Sequence, residues 1–216
     1  MRQTAPDVAL QIGPGAEIDE TVLLGYKSGR PGIAPTLRIG DDAHIRSGSV
    51  IYAGSTIGAR LQTGHGVVIR EENRVGDDLW IWSNSVLDYG CEIGSHVHIH
   101  CNVYVAQFTV LEDDVFLAPG VMIANDPHPG CPQFRKCMRG PTLRRGAKIG
   151  IGVCILPFVE IGERALIGGG SVVTRDIPEG VVAYGNPARP MRRVEELTCP
   201  FGFTAGPYRG DRGDGR

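Results

Sequence analysis

The apolar positions of this chain recur every six residues. From Ile39 the series runs through Ile45, Ile51, Ile57, Thr63 and Ile69, then Val75, Ile81, Leu87, Ile93, Ile99, Val105, Leu111, Leu117 and Ile123, and only Thr63 among these fifteen is not aliphatic. Four residues beyond the aliphatic stand small or β-branched side chains such as Ala43, Ser49, Ser55, Val67, Ser85 and Cys91. Neither a period of 3.6 nor strict alternation leaves that mark. Two inward side chains two residues apart, followed by a corner, describe a short strand. Each hexad therefore predicts one side of a coil. Three residues beyond the aliphatic come Asp42, Gly48, Gly54, Asp78, Asn84 and Gly90. These residue types accept the positive φ that a corner requires.

A longer period overlies the first. Gly40, Gly58, Gly76 and Gly94 are 18 residues apart and Glu112 continues the series, so three sides of six close one triangular coil. A fixed repeat of this kind decides the architecture before any single element does. The phase breaks after Ile123 and resumes at Ile149, Ile155, Ile161, Ile167 and Val173. If Ile149 stands where residue 129 would, Gly150 and Gly168 continue the glycine stack. The segment 124–148 is then one loop projecting from a single corner. The prediction is an all-β coil domain over 1–190, with an irregular first coil at 8–37 that includes the out-of-phase stretch GYKSGRPGIAPT. Residues 191–216 are expected to form a short helical turn through MRRVEEL and a mobile tail.

The hexads IGDDAH, IGSHVH, IGERAL and IGGGSVVTRDIP, with the close GSVVTRDIPEGVVAYGNPAR, resemble the hexapeptide-repeat acyltransferases over about residues 8–190. The nearest likeness is to bacterial sugar and nucleotide-amino-sugar acetyltransferases. The resemblance implies a left-handed parallel β-helix, an exception to the right-handed crossover rule that spacing alone would not reveal. It also implies a homotrimer with acetyl-CoA, the acyl donor, held between neighbouring helices, and a sugar or nucleotide-sugar acceptor.

Composition narrows the classes. Hydrophobic residues at 42% supply a core, and a formal net charge of −2 argues against a nucleic-acid binder. No apolar run reaches the ~18–20 residues of a membrane span, and the opening MRQTAPDVALQIG lacks a signal-peptide core. Six cysteines in 216 residues are too sparse for a disulfide scaffold. A soluble cytoplasmic protein is expected.

The least repeat-like stretch, NDPHPGCPQFRKCMRGPTLRRGAK, carries His128 between two prolines together with the bases Arg135, Lys136, Arg139, Arg144, Arg145 and Lys148. A scaffold does not need such a loop, so its presence points to function. In sugar O-acetyltransferases of the family a loop in this place holds the general base, and by that resemblance His128 is the catalytic residue. Imidazole titrates near working pH and suits removal of a proton from an attacking hydroxyl. The basic cluster, with Arg135 and Arg139 put forward as substrate-binding, suits phosphates of CoA or of a nucleotide-linked acceptor. By resemblance to nucleotide-amino-sugar N-acetyltransferases, in which an Asn lies near the thioester and the acceptor amine, Asn84 is put forward as catalytic and Asn102 as substrate-binding, although both occupy a turn position that favours asparagine anyway. Gly152 and Gly170 are expected to let the pantetheine arm approach the backbone. Arg175 and Arg189 are expected at the phosphate and adenine end.

His128, Cys131 and Cys137 match no common zinc spacing. His96, His98 and His100 lack the paired spacing of γ-class carbonic anhydrases, which share the coil architecture, and no metal is expected. A non-catalytic coil scaffold remains the other alternative, disfavoured by the basic loop.

Overall fold

The computed structural model describes residues 7–208. Among these, the strands form three sheets of eight, ten and eight members, and within each sheet every strand lies beside the one a full coil away in sequence. The first face begins with Ala9–Ile12, the second with Glu17–Ile18 and the third with Leu23–Tyr26. Pairing is parallel from coil to coil, with Val75 beside Ile93 and Leu87 beside Val105, both 18 residues on. Only the closing pair, Val181–Gly185 with Ala188–Arg193, is antiparallel.

Ile45, Ile51, Leu61, Ile69, Leu79 and Ile81 are fully buried in the prism. Each such side chain contributes about 1.5–3 kcal/mol relative to exposure. The small residues at the other inward position have a second duty. Ser85 Oγ donates to the His100 carbonyl at 2.6 Å and accepts the Val103 N–H at 3.1 Å, so a hydroxyl inside the corner satisfies backbone groups of the next coil. Ser49 and Ser55 repeat this arrangement.

The register across the break differs from the expectation. Thr142–Leu143 is a strand of the first face, pairing Leu143 with Leu111, and Ile149 pairs with Leu117 on the second face. Ile149 therefore occupies the place of residue 135, not 129. The loop is 124–141, not 124–148, because Leu143 is itself the inward aliphatic of a regular side. Gly150 and Gly168 follow second-face strands and do not continue the stack of Gly40, Gly58, Gly76 and Gly94, which follows the first face.

Three corners result. The glycine corner joins the first face to the second. The asparagine corner joins the second to the third and contains Asn84 and Asn102. The loop corner joins the third face to the first, and both insertions leave from it: 27–35 after Leu23–Tyr26, and 124–141 after Met122–Ile123. At the C-terminal end, Met191, Arg192 and Arg193 belong to the closing strand, and only Val194–Glu196 form a helical turn, of the 3-10 type. Residues 197–208 run through turns, and the end of the expected tail, 209–216, lies outside the described residues.

Candidate functional site

Four of the residues singled out from the sequence meet on the asparagine corner. Asn84, Asn102, Gly120, Gly152 and Gly170 form one column, each N–H donating to a carbonyl one coil back, as Asn102 does to Ser83 at 3.1 Å and Gly152 to Pro119 at 3.0 Å. All five have φ between 58° and 72°, the left-handed conformation. Asn84 and Asn102 are exposed, and neither makes a side-chain hydrogen bond among the described residues. Above Asn102 the side chains shrink: Ala118, Pro119 and Gly120 on one coil, then Gly150, Ile151 and Gly152, then three glycines at 168–170. A Cβ added at Gly152 or Gly170 would meet nothing within 4 Å, so the backbone there is open to approach. The amides of Gly152 and Gly170 themselves are engaged in the ladder, donating to Pro119 and Ile151.

His128 lies on the loop corner, exposed, in the loop 124–141. Its N–H donates to Asp126 Oδ1 at 2.9 Å, and its carbonyl accepts the Cys131 N–H at 3.0 Å, which fixes a turn at the His-Pro step. Beyond it a single helical turn, Phe134–Cys137, places Arg135 and Lys136 in solvent, and Arg139 is exposed where the chain returns. The other bases counted with the loop belong to the prism. Arg144 forms ion pairs with Glu112 at 2.7 Å and Glu160 at 2.8 Å, and Arg145 with Asp113 at 3.1 Å. Arg135 and Lys136 remain as loop cations with no ion pair among the described residues, while Arg139 lies close enough to help lower the Glu160 carboxyl.

Arg175 is exposed on the loop corner after Val172–Val173, and Arg189 is exposed on the closing strand, its Nη1 donating to the Ala188 carbonyl at 2.9 Å. Within one chain, His128 and Arg175 thus share a corner while the asparagine column occupies another. The three histidines at 96, 98 and 100 diverge. His96 sits between Asp78 and Asp114 at 3.4 and 3.7 Å, His98 stacks on Trp80 at 4.6 Å, and His100 leans on Phe116. Burial first, then His100 and Lys148, push the His98 imidazole below its ordinary value. Among the described residues no three His, Cys, Asp or Glu side chains gather closely enough to hold a metal ion.

Sequence reasoning missed a polar line inside the loop corner. Asp88 is 5% exposed; its Oδ2 accepts the Tyr104 phenol at 2.7 Å and also the Gln107 amide. Gln107 Oε1 accepts from Asn125 Nδ2 at 2.6 Å. Burial first, then the Asp88 carboxylate, raise the Tyr104 phenol well above its ordinary value. The signal was present, since Glu71, Tyr89, Gln107 and Asn125 recur every 18 residues.

Residues 140–175 match the family model for bacterial transferase hexapeptide (six repeats). A galactoside O-acetyltransferase of Lactococcus lactis is 40% identical over 88 residues, covering 38% of this chain and 42% of that protein. A dTDP-3-amino-3,6-dideoxy-alpha-D-galactopyranose 3-N-acetyltransferase of Aneurinibacillus thermoaerophilus is 48% identical over 61 residues, covering 28% of this chain and 32% of that protein. Together these likenesses support a hexapeptide-repeat acyltransferase family. A UDP-N-acetylglucosamine acyltransferase from Bacteroides fragilis, 20% identical, superimposes with a TM-score of 0.67 over 87% of this hexapeptide-repeat chain and 71% of that one, a likeness of fold. That fold is the left-handed parallel β-helix expected from the family resemblance. The chain spans about half the length of the curated relatives it matches.

Proposed function

We propose that this chain transfers an acetyl group from acetyl-CoA to a hydroxyl or amine of a sugar or nucleotide-linked sugar, acting as a cytoplasmic homotrimer without a resident metal. The observation that carries the reading is the asparagine corner, where exposed side-chain amides give way to a track of bare backbone over three successive coils. An extended thioester arm needs such a track, and an acyl carbonyl at its lower end comes within reach of the amides of Asn84 and Asn102. The similarity to a galactoside O-acetyltransferase and an amino-sugar N-acetyltransferase supports the acceptor class.

His128 takes the proton of the acceptor group as its oxygen or nitrogen attacks the thioester carbon. The C–S bond then breaks and the CoA sulfur leaves, receiving the proton from the imidazolium. Arg135 and Arg139 meet phosphate oxygens of the donor or of a nucleotide-linked acceptor, and Arg175 and Arg189 the CoA end. A site that uses both His128 and the asparagine column requires two copies, because one chain holds them on different corners. The faces on either side of the asparagine corner suit such packing. Trp80, His98 and Phe116 stand outward on the second, with Val68, Val86 and Met122 on the third. The first face instead presents Thr56, Arg74, Glu92 and Glu160 to solvent. Three copies meeting along their apolar faces close a ring and leave the charged face outside.

The test is acetyl-CoA-dependent thiol release with methyl β-galactoside, other plain sugars and dTDP-linked amino sugars, alongside His128→Ala. Turnover with one acceptor class that collapses in the variant supports the reaction and the base together. Failure to bind acetyl-CoA overturns the reading.

A further inference from the structure

We infer that Asp88, Gln107 and Asn125 are positioning residues that fix the orientation of the His128 loop, an inference that rests on the reading of His128 as the base. An ionised carboxylate only accepts hydrogen bonds. Asp88 therefore decides which way the next group faces. Its Oδ2 takes the Gln107 Nε2–H, so Gln107 must turn Oε1 toward Asn125 and accept from Asn125 Nδ2 at 2.6 Å. The other carboxylate oxygen accepts the Tyr89 N–H at 2.8 Å, with Arg70 Nη1 at 3.5 Å. Asn125, 8% exposed, in turn closes the loop: its carbonyl accepts the Arg139 N–H at 2.9 Å. At the following residue, Gly140, a Cβ would come within 2.6 Å of the Thr109 backbone, so the returning strand is seated against the prism. Both ends of 126–138 are thus held at one buried point, three residues from His128. Two amides in series, without the carboxylate, have two settings of similar energy; with it they have one.

The same line reaches the second insertion. Arg70 bridges Asp88 and Glu71, and Glu71 accepts the Ser28 hydroxyl at 2.8 Å from the 27–35 loop. Both loops of this corner are fastened to one hydrogen-bonded column.

The polarity argument sets a reversible test. In Gln107→Glu two carboxylates face each other. In the double variant Asp88→Asn with Gln107→Glu the link between 88 and 107 inverts: the new amide donates to the carboxylate at 107 and to Tyr104, its oxygen still accepts the Tyr89 N–H, Asn125 Nδ2 still finds an acceptor, and the Arg70 ion pair is lost. Loop order is read by trypsin, since Arg135 and Lys136 are exposed inside the loop. Transfer is read as kcat and KM with acetyl-CoA and the acceptor found in the panel, and folding by thermal melt. Gln107→Glu is expected to raise the cleavage rate and lower kcat about tenfold each, with KM for acetyl-CoA unchanged, and the double variant to restore both. His128→Ala is expected to abolish transfer with cleavage as in the wild type. Wild-type cleavage in Gln107→Glu overturns the inference. So does a double variant that melts normally yet is cleaved as fast as the single one. If His128→Ala keeps full transfer, the reading of the base fails, while the cleavage comparison still decides whether the chain of amides holds the loop.

Discussion

Leu143 lies in parallel register with Leu111, and both side chains are buried in the prism. Position 143 is thus core, although it follows an insertion and stands within the most basic stretch of the chain. Leu143→Ala is expected to cost about 2–5 kcal/mol in urea unfolding, the range for a truncated core leucine. Phe134→Ala, on the exposed helical turn of the loop, is expected to change stability by less than about 0.5 kcal/mol. Equal effects at the two positions would contradict the register.

The coil was legible because every side has six residues and the inward positions tolerate little else. Even Thr63, the one polar member of the series, is buried with its hydroxyl accepting the Arg46 N–H at 2.9 Å. The register across the insertion was not legible from glycine. Positive φ and close approach of the next coil operate at all three corners, so Gly150 imitates Gly94 while sitting on a different edge. Counting back six from Ile149 to Leu143 would have resolved it. Of the site, the asparagine column was visible as a spacing, and the place of His128 followed from resemblance. The Asp88–Gln107–Asn125 line shows in the sequence only as an 18-residue spacing of polar residues, because the direction of each amide depends on how far Asp88 is buried. In the proposed site His128 and Asn102 would come from two copies, and no spacing within one chain encodes that.

Asn125 and Arg139 are already joined by a hydrogen bond, so the loop between them can be removed without stretching the prism. Replacing 126–138 by two glycines is expected to leave a folded β-helix. Shortening the closure favours the folded state by about 1–2 kcal/mol on chain entropy alone. Acetyl transfer is expected to vanish, since His128 leaves with the loop. Loss of the β-sheet circular dichroism spectrum in this variant would show that the loop supports the fold.

Two neighbouring glycines separate conformation from crowding. At Gly150 an added Cβ would lie 2.6 Å from the Gly169 nitrogen and 2.7 Å from the Ile167 oxygen, both rigid backbone. At Gly152 it would meet nothing within 4 Å, and only the left-handed φ of 64° opposes a side chain. Gly152→Ala is expected to cost about 1–2 kcal/mol, the ordinary penalty of that conformation. Gly150→Ala is expected to cost clearly more, or to prevent folding. Kinetics should then single out Gly152: a methyl on the open track raises KM for acetyl-CoA while kcat with saturating donor changes little. An unchanged KM would remove Gly152 from the donor track.

Glu71 supplies a pH dependence that is independent of the proposed chemistry. Its side chain is fully buried. Burial works to raise its carboxyl, but the Arg70 guanidinium, its own N–H and the Ser28 hydroxyl outweigh it, and the pKa ends below the ordinary value of 4.5. A carboxylate whose pKa is lowered by folding stabilises the native state above its unfolded pKa, and that contribution is lost as pH falls through the lowered folded value. Thermal melts are therefore expected to hold steady from neutral pH to about 5 and to decline below 4.5. Glu71→Gln should melt lower at neutral pH, because Arg70 loses its closest carboxylate, and its decline with acid should be shallower than that of the wild type. Parallel declines in the two proteins would mean that the acid sensitivity arises elsewhere on the prism.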